Sequence, residues 1–254
     1  MLIDTHAHIY SEDFQGDIDD VIQNAYNNNI KKIVLPNIDS GSAKHLVDLS
    51  DSFPHLCYPL MGLHPTSISE DYKEELDAVE YWFEKREFYG VGEIGIDLYW
   101  DQTYLNQQKE AFQYQLKLAK RKKIPVVIHV RDSFKETYKI VEKEQDGTLR
   151  GIFHCFTGNE KQAQKIIGLG FLLGIGGVVT FNNSNLGEVI RNFDLKHLVL
   201  ETDAPYLSPV PKRGRRNESS YLVYIAQKIA EIYDVPVERV ADITTTNAKD
   251  LFGI

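Results

Sequence analysis

The sequence has only two cysteines among its 254 residues, Cys57 and Cys155, which are too few for a disulfide scaffold. This scarcity predicts a reducing compartment. No apolar run approaches the roughly 20 residues that span a bilayer, so we expect no membrane partner. The N-terminus also lacks a basic segment followed by an apolar one, so we expect no removable leader and a cytoplasmic location.

Positive charge is also in deficit, with 28 lysines and arginines against 37 acidic residues and a formal net charge of -9. So acidic a chain is not expected to coat nucleic acid along its whole surface, although it can still hold a local basic site. Hydrophobic residues make up 43% and charged residues 26%, which are ordinary globular values. We find no repeat, linker-like tract or sign of an obligate protein partner, and we expect one domain over residues 1–254.

Short apolar runs of strand length alternate with amphipathic stretches of helical spacing. Eight runs occur, at Leu2–Ile3, Ile33–Leu35, Leu56–Met61, Tyr89–Ile94, Val126–His129, Gly151–Phe156, Phe171–Ile175 and Leu198–Glu201. Eight strand-then-helix units of roughly 30 residues need about 240 residues, which the chain supplies. A doubly wound sheet is disfavoured because no glycine-rich dinucleotide fingerprint follows the first strand. The sequence therefore predicts an α/β fold, a TIM (β/α)8 barrel with its functional residues at the C-terminal ends of the strands.

Two helix ends can be predicted from single residues. Ser40 or Ser42 is the expected N-cap of the second helix, because a serine side chain can accept a hydrogen bond from a free N–H of the first turn. The run Lys120-Arg121-Lys122-Lys123 closes the longest helix. We interpret it as cations at the negative end of the helix dipole rather than as a nucleic-acid contact.

Six metal-ligand side chains come at or after the ends of predicted strands. They are His6, His8, Glu93, His129, His154 and Asp203. Any one of these histidines alone is more simply a hydrogen-bonded core residue. Together, imidazoles and carboxylates converging in a barrel mouth are costly to bury without compensation, and a bound cation removes that cost.

The size of this set indicates two ions. Four imidazoles and two carboxylates exceed what one tetrahedral ion takes, but they suit two ions about 3.5–4 Å apart that share a carboxylate. Glu93 is the expected bridge, because its strand lies between that of His6 and His8 and those of His129 and His154. The shared carboxylate also disfavours a mononuclear zinc deaminase, and the presence of both acids disfavours a non-catalytic protein.

The ordered motifs of the chain resemble those of the TatD family of metal-dependent hydrolases, within the amidohydrolase-like barrels. The matching segments include Asp4-Thr5-His6-Ala7-His8, Gly62-Leu63-His64-Pro65, Gly92-Glu93-Ile94-Gly95-Ile96-Asp97, Ile128-His129-Val130-Arg131, His154-Cys155-Phe156-Thr157-Gly158 and Glu201-Thr202-Asp203-Ala204-Pro205. The resemblance spans nearly the whole chain. It implies a divalent-metal-dependent deoxyribonuclease that removes nucleotides from single-stranded DNA or RNA ends.

The resemblance also implies roles for the site residues. His6, His8 and Asp203 would hold one ion, and His129 and His154 would hold the other, with Glu93 shared. His64 resembles the substrate-phosphate residue of the family, the alternative being a loop hydrogen bond. The expected catalytic residues are thus Asp203, Glu93 and His64, with an activated water attacking phosphorus and Asp203 able to take its proton.

Further residues are candidates for substrate contact. Arg131 can stabilise phosphate charge. Arg213 lies in the basic run Lys212-Arg213-Gly214-Arg215-Arg216, which is either a phosphate site or a solvated loop with carboxylate partners. Tyr99 and Trp100 can stack a base or only pack a lid. Glu201 can orient a ligand histidine, or instead pair with Arg131 or Arg213.

Metal and substrate remain open at this level. An imidazole-rich set favours Zn or Mn, with Ni also compatible, as the bound ion, whereas the family resemblance points to Mg or Mn for activity. The same two-ion site could hydrolyse another ester or amide, such as a lactone or a D-aminoacyl-tRNA.

Overall fold

The computed structural model describes all residues, 1–254, as alternating strands and helices. The strands are β1 (Leu2–Asp4), β2 (Ile30–Leu35), β3 (Cys57–Pro59), β4 (Val91–Asp97), β5 (Val126–Arg131), β6 (Gly151–Phe153), β7 (Leu172–Ile175) and β8 (Leu198–Leu200). The helices are α1 (Ile18–Asn27), α2 (Ser40–Ser52), α3 (Tyr72–Lys85), α4 (Leu105–Lys122), α5 (Phe134–Glu144), α6 (Glu160–Gly168), α7 (Leu186–Ile190), α8 (Leu222–Tyr233) and α9 (Val237–Phe252). None of these helices is both long and apolar enough to cross a membrane.

The eight strands form a closed parallel barrel. Continuous pairing joins β1 to β3 and β4 to β8. A parallel bridge between Met61 and Val91 connects β3 to β4, and the Thr5 N–H donates to the Leu200 carbonyl at 3.0 Å to connect β1 to β8. The predicted (β/α)8 barrel is confirmed.

Side chains alternate between the two faces of each strand. The apolar ones therefore form two clusters, and polar residues follow on the same faces at the C-terminal ends of the strands. Val127 on β5 and Ile152 on β6 belong to a ten-residue cluster contributed largely by the strands, whereas Ile128 packs into the larger cluster shared with the helices. Because side chains repeat every two residues in a strand, the next positions on the faces of Val127 and Ile152 are His129 and His154.

Some predicted boundaries differ from the observed ones. The predicted strand Tyr89–Ile94 is observed as Val91–Asp97. The serine N-cap predicted for α2 is wrong: Asp39 is the cap, and its side chain accepts from the Ser42 N–H while the Ser42 side chain accepts from the Asp39 N–H. The basic run does end α4, as predicted, with Lys123 in the left-handed conformation just beyond it.

Candidate metal centre

Seven ionisable side chains meet at the C-terminal mouth of the barrel. His6 and His8 follow β1, His64 follows β3, Glu93 lies in β4, His129 lies in β5, His154 follows β6 and Asp203 follows β8. Their potential ligand atoms form three close groups, each within 4.8 Å: His6 with His8 and Asp203, His6 with Glu93 and His154, and His64 with Glu93 and His129. Residues that are up to 197 positions apart in the chain therefore share one site.

Glu93 lies at the centre of the cluster, with its two oxygens facing different histidines. Oε2 is 3.0 Å from Nε2 of His6 and 3.5 Å from Nε2 of His8. Oε1 is 2.7 Å from Nδ1 of His129 and 3.1 Å from Nε2 of His154. This is the arrangement in which one carboxylate can contact two cations at once.

Asp203 completes the group on the β1 side. Its Oδ1 lies 3.7 Å from Nε2 of His6 and 3.8 Å from Nε2 of His8. Burial raises the pKa of Asp203 to about 6, against the opposing effect of His154 and His8. The neighbouring histidines therefore offset only part of the effect of burial on this carboxylate.

The orientation of His8 is fixed by the nitrogen that faces away from the cluster. Its Nδ1 lies 3.0 Å from the Tyr10 hydroxyl, and that hydroxyl donates to the Pro36 carbonyl at 2.6 Å. Because the Tyr10 proton is already used, His8 must donate from Nδ1. Its Nε2 then carries a lone pair directed at Glu93 and Asp203, as a metal ligand requires.

His129 and His154 are oriented by carboxylates. His129 Nε2 donates to Asp97 Oδ2 at 2.9 Å, and His154 Nδ1 lies 3.2 Å from Glu201 Oε1. Each ring thereby points its other nitrogen at Glu93. Glu201 contacts His154, rather than Arg131 or Arg213 as in the alternative interpretation of the sequence.

This set of donor atoms fits divalent cations. Nε2 of His6 and Nε2 of His8 are only 3.1 Å apart, so two lone pairs would repel unless positive charge lies beside them. Burial and His154 hold the pKa of His6 well below its usual range, which leaves it neutral. Burial opposes ionisation of Glu93, but the positive charge of His154 still holds the pKa of Glu93 well below its usual range.

His64 differs from His8, His129 and His154 because the nitrogen that it turns toward Glu93 is the one that carries the proton. The Thr66 N–H donates to its Nδ1 at 3.1 Å, so the proton of the neutral ring is on Nε2. That Nε2 lies 3.3 Å from Glu93 Oε1. His64 therefore presents an N–H to the cluster, a suitable donor to a negatively charged substrate oxygen.

Of the predicted substrate-contact residues, three lie beside the cluster and one is engaged elsewhere. An exposed group next to His129 is formed by Arg131, Tyr99 and Trp100. Arg213 instead stacks on Phe181, with its guanidinium carbon 3.9 Å from the ring centre, and donates to the Ser208 carbonyl at 3.1 Å. None of its hydrogen bonds reaches the cluster.

Three supporting residues were not assigned a role from the sequence. They are Asp4, Tyr10 and Asp97. Asp4 is buried and accepts from the Thr202 N–H at 2.9 Å and the Thr202 hydroxyl at 2.6 Å, and burial raises its pKa to about 7. The signal that could have found these residues is spacing, since each lies two or four positions from a predicted ligand.

A (β/α)8 barrel that gathers imidazoles and carboxylates at the C-terminal ends of its strands defines the class of metal-dependent hydrolases with an amidohydrolase-like fold. Residues 3–253 match the family model for TatD related DNases, and the chain therefore belongs to the TatD family.

Individual relatives agree with this assignment. The chain is 36% identical over 255 residues to the metal-dependent hydrolase YabD of Bacillus subtilis, covering 100% of both chains. It is 30% identical over 259 residues to the 3'-5' ssDNA/RNA exonuclease TatD of Salmonella typhimurium, covering 100% of this chain and 99% of that protein. The crystal structure of the TatD homologue YjjV from Escherichia coli superposes with a TM-score of 0.93 at 28% identity, over 100% and 98% of the chains. The protein is a TatD-family metal-dependent hydrolase.

Proposed function

We propose that this protein is a divalent-metal-dependent nuclease that hydrolyses phosphodiester bonds at the ends of single-stranded DNA or RNA. The observation that carries the proposal is Glu93, whose two oxygens face two separate groups of histidines. The exonuclease activity named for the Salmonella relative, at 30% identity, supports the choice of substrate class.

The proposed ligands divide around that carboxylate. His6, His8 and Asp203 would hold one ion, and His129 and His154 the other, with Glu93 shared. Bound there, two divalent ions would neutralise phosphate charge and lower the pKa of an attacking water. The imidazole-rich set favours retention of Zn, Mn or Ni on purification, with Mg or Mn supporting turnover.

The other catalytic and positioning roles would be filled by side chains of the protein itself. The Asp203 carboxylate, which lies beside Nε2 of His6 and Nε2 of His8, would accept the proton of the attacking water. His64 directs its Nε2–H toward the position of a phosphate oxygen, where a fixed donor is worth most as negative charge develops. Glu201 and Asp97 would act only through the rings that they orient. Arg213 stays a predicted phosphate contact, and it would have to leave the Ser208 carbonyl to act.

Metal removal and restoration test the proposal. Protein stripped with a chelator should lose cleavage of an end-labelled single-stranded oligonucleotide and regain it with Mg or Mn. Glu93→Ala should lower that activity by more than about 100-fold, whereas Lys228→Ala, on the outer surface of α8, should leave it unchanged. A restored enzyme that hydrolyses a lactone, a model ester or a D-aminoacyl-tRNA but no oligonucleotide would overturn the nuclease proposal and leave the metal site standing.

A further inference from the structure

An exposed cation–aromatic group lies at the rim of the mouth, which we call the rim platform: Tyr99, Trp100 and Arg131. The Tyr99 and Trp100 side chains are 54% and 69% exposed, among the most exposed large hydrophobic residues of the chain. Their rings pack edge to face at 4.9 Å. The Arg131 guanidinium carbon lies 3.8 Å from the centre of the Tyr99 ring and 5.3 Å from that of Trp100.

The charge of the rim platform is unneutralised. Arg131 makes no ion pair, in contrast to Arg216, which binds Asp17 through both of its terminal nitrogens at 2.9 and 2.6 Å. In a chain with a net charge of -9, a free guanidinium at the mouth is a local attraction for a polyanion that the rest of the surface repels.

Hydrogen bonds of Asp97 connect the rim platform to the metal centre. Oδ1 of Asp97 accepts from the backbone N–H groups of Tyr99 at 2.9 Å and Trp100 at 3.2 Å, and Oδ2 accepts from the ring of His129 at 2.9 Å. Arg131 is two residues beyond His129 and is the β5 partner of Asp97. One carboxylate therefore fixes both the aromatic turn and a proposed ligand.

We propose that the rim platform binds the unpaired nucleobase next to the scissile phosphate, with the Arg131 guanidinium on the phosphate of that nucleotide. The inference rests on the proposed nuclease function and adds a base-stacking site to it. Aromatic rings stack any base with little regard to sequence, and guanidinium groups pair with phosphate oxygens. A base inside a duplex is already stacked on both faces, so the platform would select single strands.

Tryptophan fluorescence tests the contact without any cleavage. The chain has two tryptophans, and the other one, Trp82, packs partly buried against the core from α3. In a Trp82→Phe variant all tryptophan emission comes from Trp100. With chelator present, a single-stranded oligothymidylate should quench that emission, whereas the same sequence in a duplex or deoxyribose 5-phosphate should not. Absence of quenching by the single strand, or equal quenching by deoxyribose 5-phosphate, would overturn the proposal.

Kinetics with matched variants provide the second test. Trp100→Ala and Tyr99→Ala should each raise KM for a single-stranded oligonucleotide about tenfold, and Trp100→Phe should largely restore KM. The control is Tyr81→Ala, which should leave KM unchanged, since Tyr81 on α3 is 53% exposed and also contacts an aromatic ring, Trp82, and a cation, Lys85.

The two proposals fail in different ways. If single strands quench the Trp100 fluorescence but the protein cleaves no oligonucleotide, the proposed nuclease function is wrong and the rim platform stands. Nuclease activity with an unchanged KM in the Trp100→Ala and Tyr99→Ala variants would sink the rim platform alone, and would assign those rings to packing of the loop.

Discussion

Glu201 reaches His154 only because residue 174 has no side chain. A Cβ atom on Gly174 would lie 2.2 Å from Oε2 of Glu201, far inside van der Waals contact. Gly174→Ala should therefore displace the carboxylate from His154 and weaken metal binding by about 10- to 100-fold, the usual cost of losing an orienting partner. Titration calorimetry with Mn on chelator-treated protein measures the change.

A neighbouring glycine supplies the control for that substitution. A Cβ on Gly176 would meet its nearest atom, the Glu201 carbonyl oxygen, at 3.6 Å, which is ordinary contact. Gly176→Ala should leave Mn affinity within about twofold. Equal losses in both variants, or none in Gly174→Ala, would show that Glu201 does not position His154.

At the residue scale, the sequence predicts side chains by strand-end position and says little about what fixes them. Spacing placed His129 and His154 at strand ends, because alternation in a strand is local. The proton position of His64 depends on the Thr66 N–H folding back onto its ring, and the engagement of Arg213 depends on Phe181. Such contacts follow from loop conformation, which hydrophobic periodicity does not encode.

A buried hydrogen-bonded pair, Asp4 and Thr202, connects the two strands that close the barrel. Asp4 at the end of β1 accepts both the N–H and the hydroxyl of Thr202, just beyond β8. Thr202→Val keeps the shape but removes the hydroxyl, leaving a buried carboxylate oxygen short of a donor, and should lower the free energy of unfolding by about 1–3 kcal/mol.

Urea denaturation measures this loss. The control is Thr246→Val, whose exposed hydroxyl donates to the Asp242 carbonyl within α9 and whose replacement should cost less than about 0.5 kcal/mol. An equally small loss of unfolding free energy in Thr202→Val would show that the Asp4–Thr202 pair does not stabilise the closed barrel.

An ion pair between the ends of α4 and α5 should make stability depend on pH. Lys120 Nζ lies 3.0 Å from Glu144 Oε2. Burial opposes ionisation of Glu144, but hydrogen bonds from Gln113 and Lys120 outweigh it and lower its pKa below 4.5. A lowered carboxylate pKa stabilises the fold above the unfolded value and loses that effect as pH falls through the folded value.

Glu144→Gln should therefore lower the free energy of unfolding by about 1 kcal/mol at pH 7. The difference in unfolding free energy between this variant and wild type should become smaller as pH falls below 4.5. Denaturation curves across that range measure it, with the exposed, unpaired Glu84→Gln as the control. A difference that stays constant with pH would contradict the assignment.

At the element scale, strands were easier to predict than their ends. Eight apolar runs matched eight strands because each strand is buried on both faces. Strand β4 runs on to Asp97 because its backbone pairs with β5 as far as Arg131, a long-range contact. The α2 cap was missed because Asp39 and Ser42 bond reciprocally, and either serine alone satisfies the simpler rule.

At the scale of the whole molecule, hydrogen bonds connect the two ends of the chain. The Thr245 hydroxyl of α9 donates to the Met1 carbonyl at 3.1 Å, and β1 pairs with β8 across the seam through Thr5 and Leu200. The barrel closes only when the segments near the two ends of the chain meet. We therefore propose that residues 1–254 form one domain.

A single domain should unfold in one cooperative transition. Calorimetric unfolding should show one transition, and its midpoint should rise when Mn is added, because an ion that binds only the folded state stabilises it. Two separate transitions, with only one shifted by Mn, would contradict a single domain.

We propose that one buried carboxylate, Glu93, joins two cation sites. The most direct measurement is a crystal structure of the Mn-loaded protein with anomalous scattering, alongside metal content per chain. We expect two ions about 3.5–4 Å apart, both in contact with Glu93, and loss of at least one of them in Glu93→Ala. A single ion, or ions away from Glu93, would contradict it.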